Sequence, residues 1–186
     1  MQRFRWFGII LVATEWMGFI TMMTIRDIDT SLPISQYGAY PETKLLFTAV
    51  LVGAAVFAGL FGIYLQKHHN RSFIIAIAAS ASFAWTGLTT YNSPYLLLSL
   101  SHWTSAIFSG FFYGLLIVVV EKSKGPNLVR TIFLVSTLVL ILFAIAIAVF
   151  APHVSLLLLF EMVSIISGQL WLALSSFDNT KPKKLV

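Results

Sequence analysis

Cysteine is absent from the chain, which excludes a disulfide framework, thiol redox chemistry and thiolate metal sites. Charge is nearly as scarce: 10% of residues are Asp, Glu, Lys or Arg, against about 25% in an ordinary soluble domain. Familiar catalytic patterns are missing too. No H-E-x-x-H helix, no G-x-S-x-G elbow and no Gly-rich phosphate loop occurs. No lysine falls in the middle of an apolar run, where a Schiff base would need one, and Ser109-Gly110 lacks the histidine placement of an intramembrane serine protease. There is no soluble domain, no low-complexity segment and no convincing internal repeat.

What the chain has instead is hydrocarbon. Hydrophobic residues make up 58% of it and the mean hydropathy is +0.88, values of a polytopic membrane protein. Six apolar runs, at about 6–25, 45–65, 73–90, 95–120, 131–150 and 153–177, each approach the ~20 residues that cross a ~30 Å bilayer core. The fourth is the longest and is expected to tilt or protrude. Arg3 and Arg5 ahead of the first run imitate a signal peptide. Glu15-Trp16 interrupts that run, however, and no A-x-A site follows, so it reads as a retained span. Between the runs lie a basic turn (66–71), Tyr91-Asn92-Ser93-Pro94, the breaker 121–127 and Ala151-Pro152. The expected fold is all-α, one six-helix membrane domain over 1–177 with a polar tail at 178–186.

The net charge of +5 would suggest nucleic acid in a soluble domain. Here the bases sit between apolar runs and act as topology signals, with membrane lipids, anionic headgroups first, as the expected partner and no nucleic acid. Ten of the twelve bases (Arg3, Arg5, Lys67, Arg71, Lys122, Lys124, Arg130, Lys181, Lys183, Lys184) fall on one side, and only Arg26 and Lys44 on the other. The positive-inside rule then predicts a multi-pass protein of the cell membrane with both termini cytoplasmic and the long loop 26–44 outside. Asp27, Asp29 and Glu42 give that loop a slightly acidic balance. Pro33, Gly38 and Pro41 restrict its backbone, and Leu32, Ile34, Tyr37 and Tyr40 are too apolar for a free linker, so a compact cap is expected there.

Membrane helices associate through small residues and through polar groups that find partners. Such rows occur at His102, Ala106, Gly110 and Gly114, at Ala55 with Gly59, and along 76–82; the run 131–150 has few and is the expected lipid-facing helix. Three ionisable residues, Glu15, His102 and Glu161, fall well inside the apolar runs, each at a cost of about 2.5–3.5 kcal/mol on insertion scales if charged. Each shares a helical face with small residues, and their similar depth predicts a common polar pocket in the outer half of the bundle. Against this stands a plainer expectation, three separate packing contacts in which a neutral Glu or His meets a hydroxyl or a carbonyl. His68-His69 belong to a solvated turn and His153 to a helix start. Neither a metal site nor a cofactor is expected.

Within the loop, Ile34-Ser35-Gln36-Tyr37-Gly38, then Pro41, then Phe47 resembles the first outer loop of a six-span bacterial and archaeal membrane protein family of unknown function, itself similar to the DRAM/FRAG-like group. In that group the loop reads Ser, an acidic residue, an aliphatic residue and Gly, followed by Pro and Phe; Gln36 stands here in place of the acid. A histidine early in the fourth span recurs in the resemblance and is matched by His102. The resemblance implies a six-helix bundle tied to lipid handling or membrane organisation, with Ser35, Gln36, Tyr37, Gly38 and Pro41 as its loop signature. The reading that results is a lipid-interacting or accessory membrane protein rather than an enzyme. Alternatives from other classes are a small transporter or proton-coupled pathway, an intramembrane lipid-modifying enzyme, and a small subunit of a larger membrane complex.

Overall fold

The computed structural model describes residues 2–27, 34–89, 95–124, 142 and 157–177, with backbone alone for 2 and 157–164. The expected span 131–150, apart from Leu142, and the tail 178–186 lie outside the described residues. A 3-10 turn, Gln2–Trp6, runs straight into α1 (Phe7–Ile25), and a second 3-10 turn, Ile34–Gly38, precedes α2 (Pro41–Leu65). Three further helices follow: α3 (Ser72–Leu88), α4 (Leu96–Ser123) and α5 (Leu157–Phe177). Among the described residues there is no strand. Three stretches, Arg3–Ile25, Pro41–Leu65 and Leu96–Ser123, are helices long and apolar enough to cross a membrane; Ser72–Leu88 and Ile165–Phe177 are shorter apolar helices.

Local chemistry sets the helix ends. Helix α1 stops where Arg26 turns extended (φ −146°, ψ 131°). Pro41 opens α2, where its missing N–H costs nothing, and Glu42 in the first turn complements the helix dipole. The polar turn after Leu65 reverses the chain into α3. Helix α4 runs on through Glu121 to Ser123, so a segment that reads as a breaker contributes a last helical turn. Large apolar side chains remain uncovered on every helix, for example Met17 (71% exposed), Leu45 (82%), Ile74, Leu97 (80%), Phe111 and Leu174. A helix apolar around its whole circumference needs hydrocarbon on the faces its neighbours leave bare.

Small residues let the backbones approach. Gly8 lies under Phe61 of α2 and Ser176 of α5, Gly18 under Val50, Gly62 under Ala76 and Gly87 under Leu51. Added Cβ atoms at Gly62 and Gly87 would stand 2.5 and 2.7 Å from the neighbouring Cβ, closer than packed atoms tolerate. Contacts between α1 and α2, between α2 and α3, and between α3 and α4 pair rising with falling residue numbers, as antiparallel neighbours must. Helix α5 also runs antiparallel to α1, with Trp6 edge-on to Phe177 at 6.0 Å. Towards α4 the pattern reverses: Tyr113 meets Gly168 and Glu121 meets Trp171, so α4 and α5 run parallel. The core of this bundle gathers Leu11, Phe61, Tyr64, Ile117, Val120 and Trp171 from α1, α2, α4 and α5.

Candidate functional site: a carboxyl–amide pair among α1, α4 and α5

Gly8, Leu11, Gly18 and Met22 are the buried residues of α1. Glu15 completes their 3-4 spacing and therefore sits on the stripe that faces the bundle. It is half-buried there, and its Oε2 accepts a hydrogen bond from Nε2 of Gln169 on α5 at 2.5 Å. Gln169 is 6% exposed, and its other amide atom, Oε1, is buried without a hydrogen-bond partner among the described residues. Beside it Tyr113 of α4 donates to the Gly168 carbonyl at 2.7 Å and stands edge-on to Trp171. The ring occupies the space a side chain at residue 168 would need, since a Cβ there would lie 2.7 Å from Tyr113 Cε1. The result is a carboxyl group, an amide with one hand free and a phenol, supplied by three helices.

His102 is engaged elsewhere. It is 1% exposed, and its Nδ1 lies 3.1 Å from the Thr89 carbonyl and 3.3 Å from Thr89 Oγ1, at the C-terminal end of α3. A carbonyl only accepts, so Nδ1 is the ring nitrogen that carries the hydrogen. Ser105, one turn on, donates to the His102 carbonyl and shares a hydrogen bond with Thr86 Oγ1 at 2.9 Å. Its hydroxyl is thus committed to backbone and threonine, not to the imidazole as a serine nucleophile would require. Eleven residues of α4, roughly 16 Å, separate His102 from Tyr113. Glu15 therefore pairs with α5 and His102 with α3, and no described contact joins the two. Glu161 lies on the backbone of α5, eight residues or roughly 12 Å before Gln169; its side chain is outside the described residues. No group of three or more His, Asp or Glu side chains that could hold a metal ion gathers among the described residues.

Two features escape a reading built on ionisable residues. Gln169 carries no charge and draws no attention in a list of costly intramembrane groups, yet it is Glu15's partner; the signal for it was the regular stripe of α1, which asks what Glu15 faces. The second is a buried cluster at the end of α4. Lys124 Nζ binds Glu121 Oε1 at 2.6 Å, with side-chain exposures of 4% and 6%, and Trp171 Nε1 donates to the same oxygen at 3.0 Å. These residues look like loop in the sequence because charge usually marks a turn.

The loop signature forms a joint between α1 and α2. Gln36, Tyr37 and Gly38 are buried, Ser35 is half-buried, and Pro41 is the exposed first residue of α2. Tyr37 stands edge-on to Phe19, donates to the Arg26 carbonyl at 3.3 Å, and its own carbonyl accepts from Thr43 Oγ1 at 2.6 Å. Tyr40 donates to Gln36 Oε1 at 3.1 Å, while the Arg26 guanidinium lies 3.5 Å over the Tyr40 ring and 3.4 Å from Glu42. Gly38 is required by closeness: a Cβ there would stand 2.7 Å from the Phe47 ring. Burial first, and then the neighbouring Asp27 carboxylate, raise the Tyr37 phenol above its ordinary pKa.

Long apolar helices, uncovered apolar side chains and polar groups turned toward one another define a helical protein of the membrane class. No protein-family model matches the chain, nor does any curated protein or solved structure.

Proposed function

We propose that this is a six-span integral membrane protein of the cell membrane, lipid-interacting or accessory in role, with both termini in the cytoplasm. The observation that carries the reading is the contrast between outside and inside. Every described helix leaves large apolar side chains bare, whereas Glu15, His102, Glu121 and Gln169 each have a hydrogen-bond partner within the bundle. An exterior of this kind is stable only against acyl chains. The count of six is supported by the parallel run of α4 and α5. The end of α4 lies beside the C-terminal half of α5, and Leu142, within the apolar run 131–150, is helical and 58% exposed. Orientation rests on the asymmetry of the bases, and kinship with the DRAM/FRAG-like group rests on the loop residues of the sequence alone.

The test is the dependence of folding on lipid. Purified in detergent and stripped of lipid, the protein is expected to lose stability and to regain it with anionic phospholipid more than with zwitterionic. For a chain of this size each kcal/mol regained raises the Tm by about 2–4 °C. Equal stability in lipid-free detergent and in both lipids would overturn the lipid-interacting reading.

A further inference from the structure

The Glu15–Gln169 pair has an asymmetry that a packing contact does not need. A buried amide normally uses both of its hands, because an unmet polar atom away from water costs about 1–3 kcal/mol. Among the described residues Gln169 uses only one: Nε2 serves Glu15 Oε2, and Oε1 meets no partner. An amide is nevertheless a neutral side chain that can meet a carboxyl group in either protonation state, because it carries a donor and an acceptor on one rotatable group. Its N–H₂ donates to a carboxylate, and, turned over, its C=O accepts from a carboxylic acid. The two orientations have nearly the same shape, so the exchange needs no movement of α1 or α5.

We propose that Glu15 and Gln169 form an intramembrane proton-binding site, in which Glu15 takes up and releases a proton and the Gln169 amide turns over to match. In the uptake step a proton from water adds to Glu15 Oε2, the bond from Gln169 Nε2 breaks, and the new O–H donates to Gln169 Oε1; release reverses each change. Glu15 is half-buried on the stripe of α1 that faces the bundle. The groups that face the pair are few. Helix α4 contributes Tyr113, whose hydroxyl is held by the Gly168 carbonyl, and the uncharged Gly53 of α2 lies beside Thr14, next to Glu15 in the chain. Glu121 and Lys124 lie at least eight residues further along α4, roughly 12 Å or more, bound to each other. Among the described residues no cation is placed to hold Glu15 permanently ionised. The inference rests on the membrane reading above and deepens it by naming the proton as the ligand of this site.

The experiment is infrared difference spectroscopy of the whole protein in lipid vesicles, titrated from acid to alkaline pH. The expected result is a protonated-carboxyl stretch that appears on acidification, disappears on alkalinisation and is lost in Glu15→Gln. In Gln169→Leu the band should persist but move, because the acid has lost its acceptor; a merely space-filling Gln169 would leave it in place. Should Glu15→Gln fail to fold, Glu15→Asp, which keeps an acid on a shorter side chain, is expected to keep a titrating protonated-carboxyl band at a shifted frequency, and a band left at its wild-type frequency would overturn the proposal. A carboxyl band that does not change with pH, or one that survives Glu15→Gln unaltered, would overturn the proposal. Either of these results leaves the lipid dependence untouched, so the two readings fail separately.

Discussion

Gln169, His102 and Glu121 are buried polar side chains that take partners from other elements, and the consequences differ with what is left behind when one is removed. Replacing Glu121 by Gln keeps a hydrogen-bond acceptor for Trp171 but removes the carboxylate charge to which Lys124, its side chain 4% exposed, is bound. Breaking a buried pair in this way costs about 3–5 kcal/mol, whereas replacing both members by apolar residues is often close to neutral. Glu121→Gln should therefore lower the unfolding midpoint far more than the double change Glu121→Leu with Lys124→Met; a double change that lowers it as much or more would overturn this expectation. Tyr37 makes a different prediction. Its phenol is raised above the ordinary value near 10, so on going to alkaline pH the unfolded chain loses its proton first. The contribution of Tyr37 is then fully present below about pH 10 and falls as pH rises from there towards the raised value. Tyr37→Phe should cost only about 0.5–1.5 kcal/mol near neutrality, through the lost bond to the Arg26 carbonyl, and should flatten the alkaline loss of stability measured by thermal unfolding.

Between helices the decisive quantity is how closely the backbones approach. Gly62 and Gly168 mark two such approaches, one against the Ala76 methyl and one beneath the Tyr113 ring. A larger side chain at residue 62 must push α3 off α2, because its obstacle is a short Cβ on a rigid helix. At residue 168 the obstacle is a ring that can turn, at the loss of the Tyr113 hydroxyl's bond to the backbone. Gly62→Val is therefore expected to destabilise by about 1–3 kcal/mol or prevent folding, and Gly168→Ala by less, with the difference read from melting temperatures in the same lipid. The positions of these helices were legible in the sequence, since apolar runs of about 20 residues broken by Pro, Gly and charge leave little alternative. The extension of α4 through Glu121 was not, because only burial against Trp171 tells a charged last turn from a charged loop.

Across the whole bundle, the direction of each helix follows from who touches whom. Contacts show α4 and α5 running parallel; the proposed orientation rests on the asymmetry of the bases along the sequence. With no native cysteine to interfere, single cysteines give a direct test. Ser35→Cys should react with an impermeant thiol reagent added to intact cells, and Asn70→Cys, in the exposed turn between α2 and α3, should react only after the membrane is opened. Labelling of Asn70→Cys from outside would reverse the proposed orientation. Composition alone determined that this chain is helical and apolar, because a backbone in hydrocarbon must satisfy its own hydrogen bonds and a helix does so within a single run of sequence. It also singled out Glu15 and His102 as costly groups in need of partners. Which partners they have was decided only by the tertiary structure: Glu15 turned to an uncharged glutamine 154 residues away and His102 to the end of the preceding helix. Depth along a helix can be counted from sequence, but the rotation of one helix against another depends on where Gly8, Gly18 and Gly168 allow contact, and that is a property of the packed bundle.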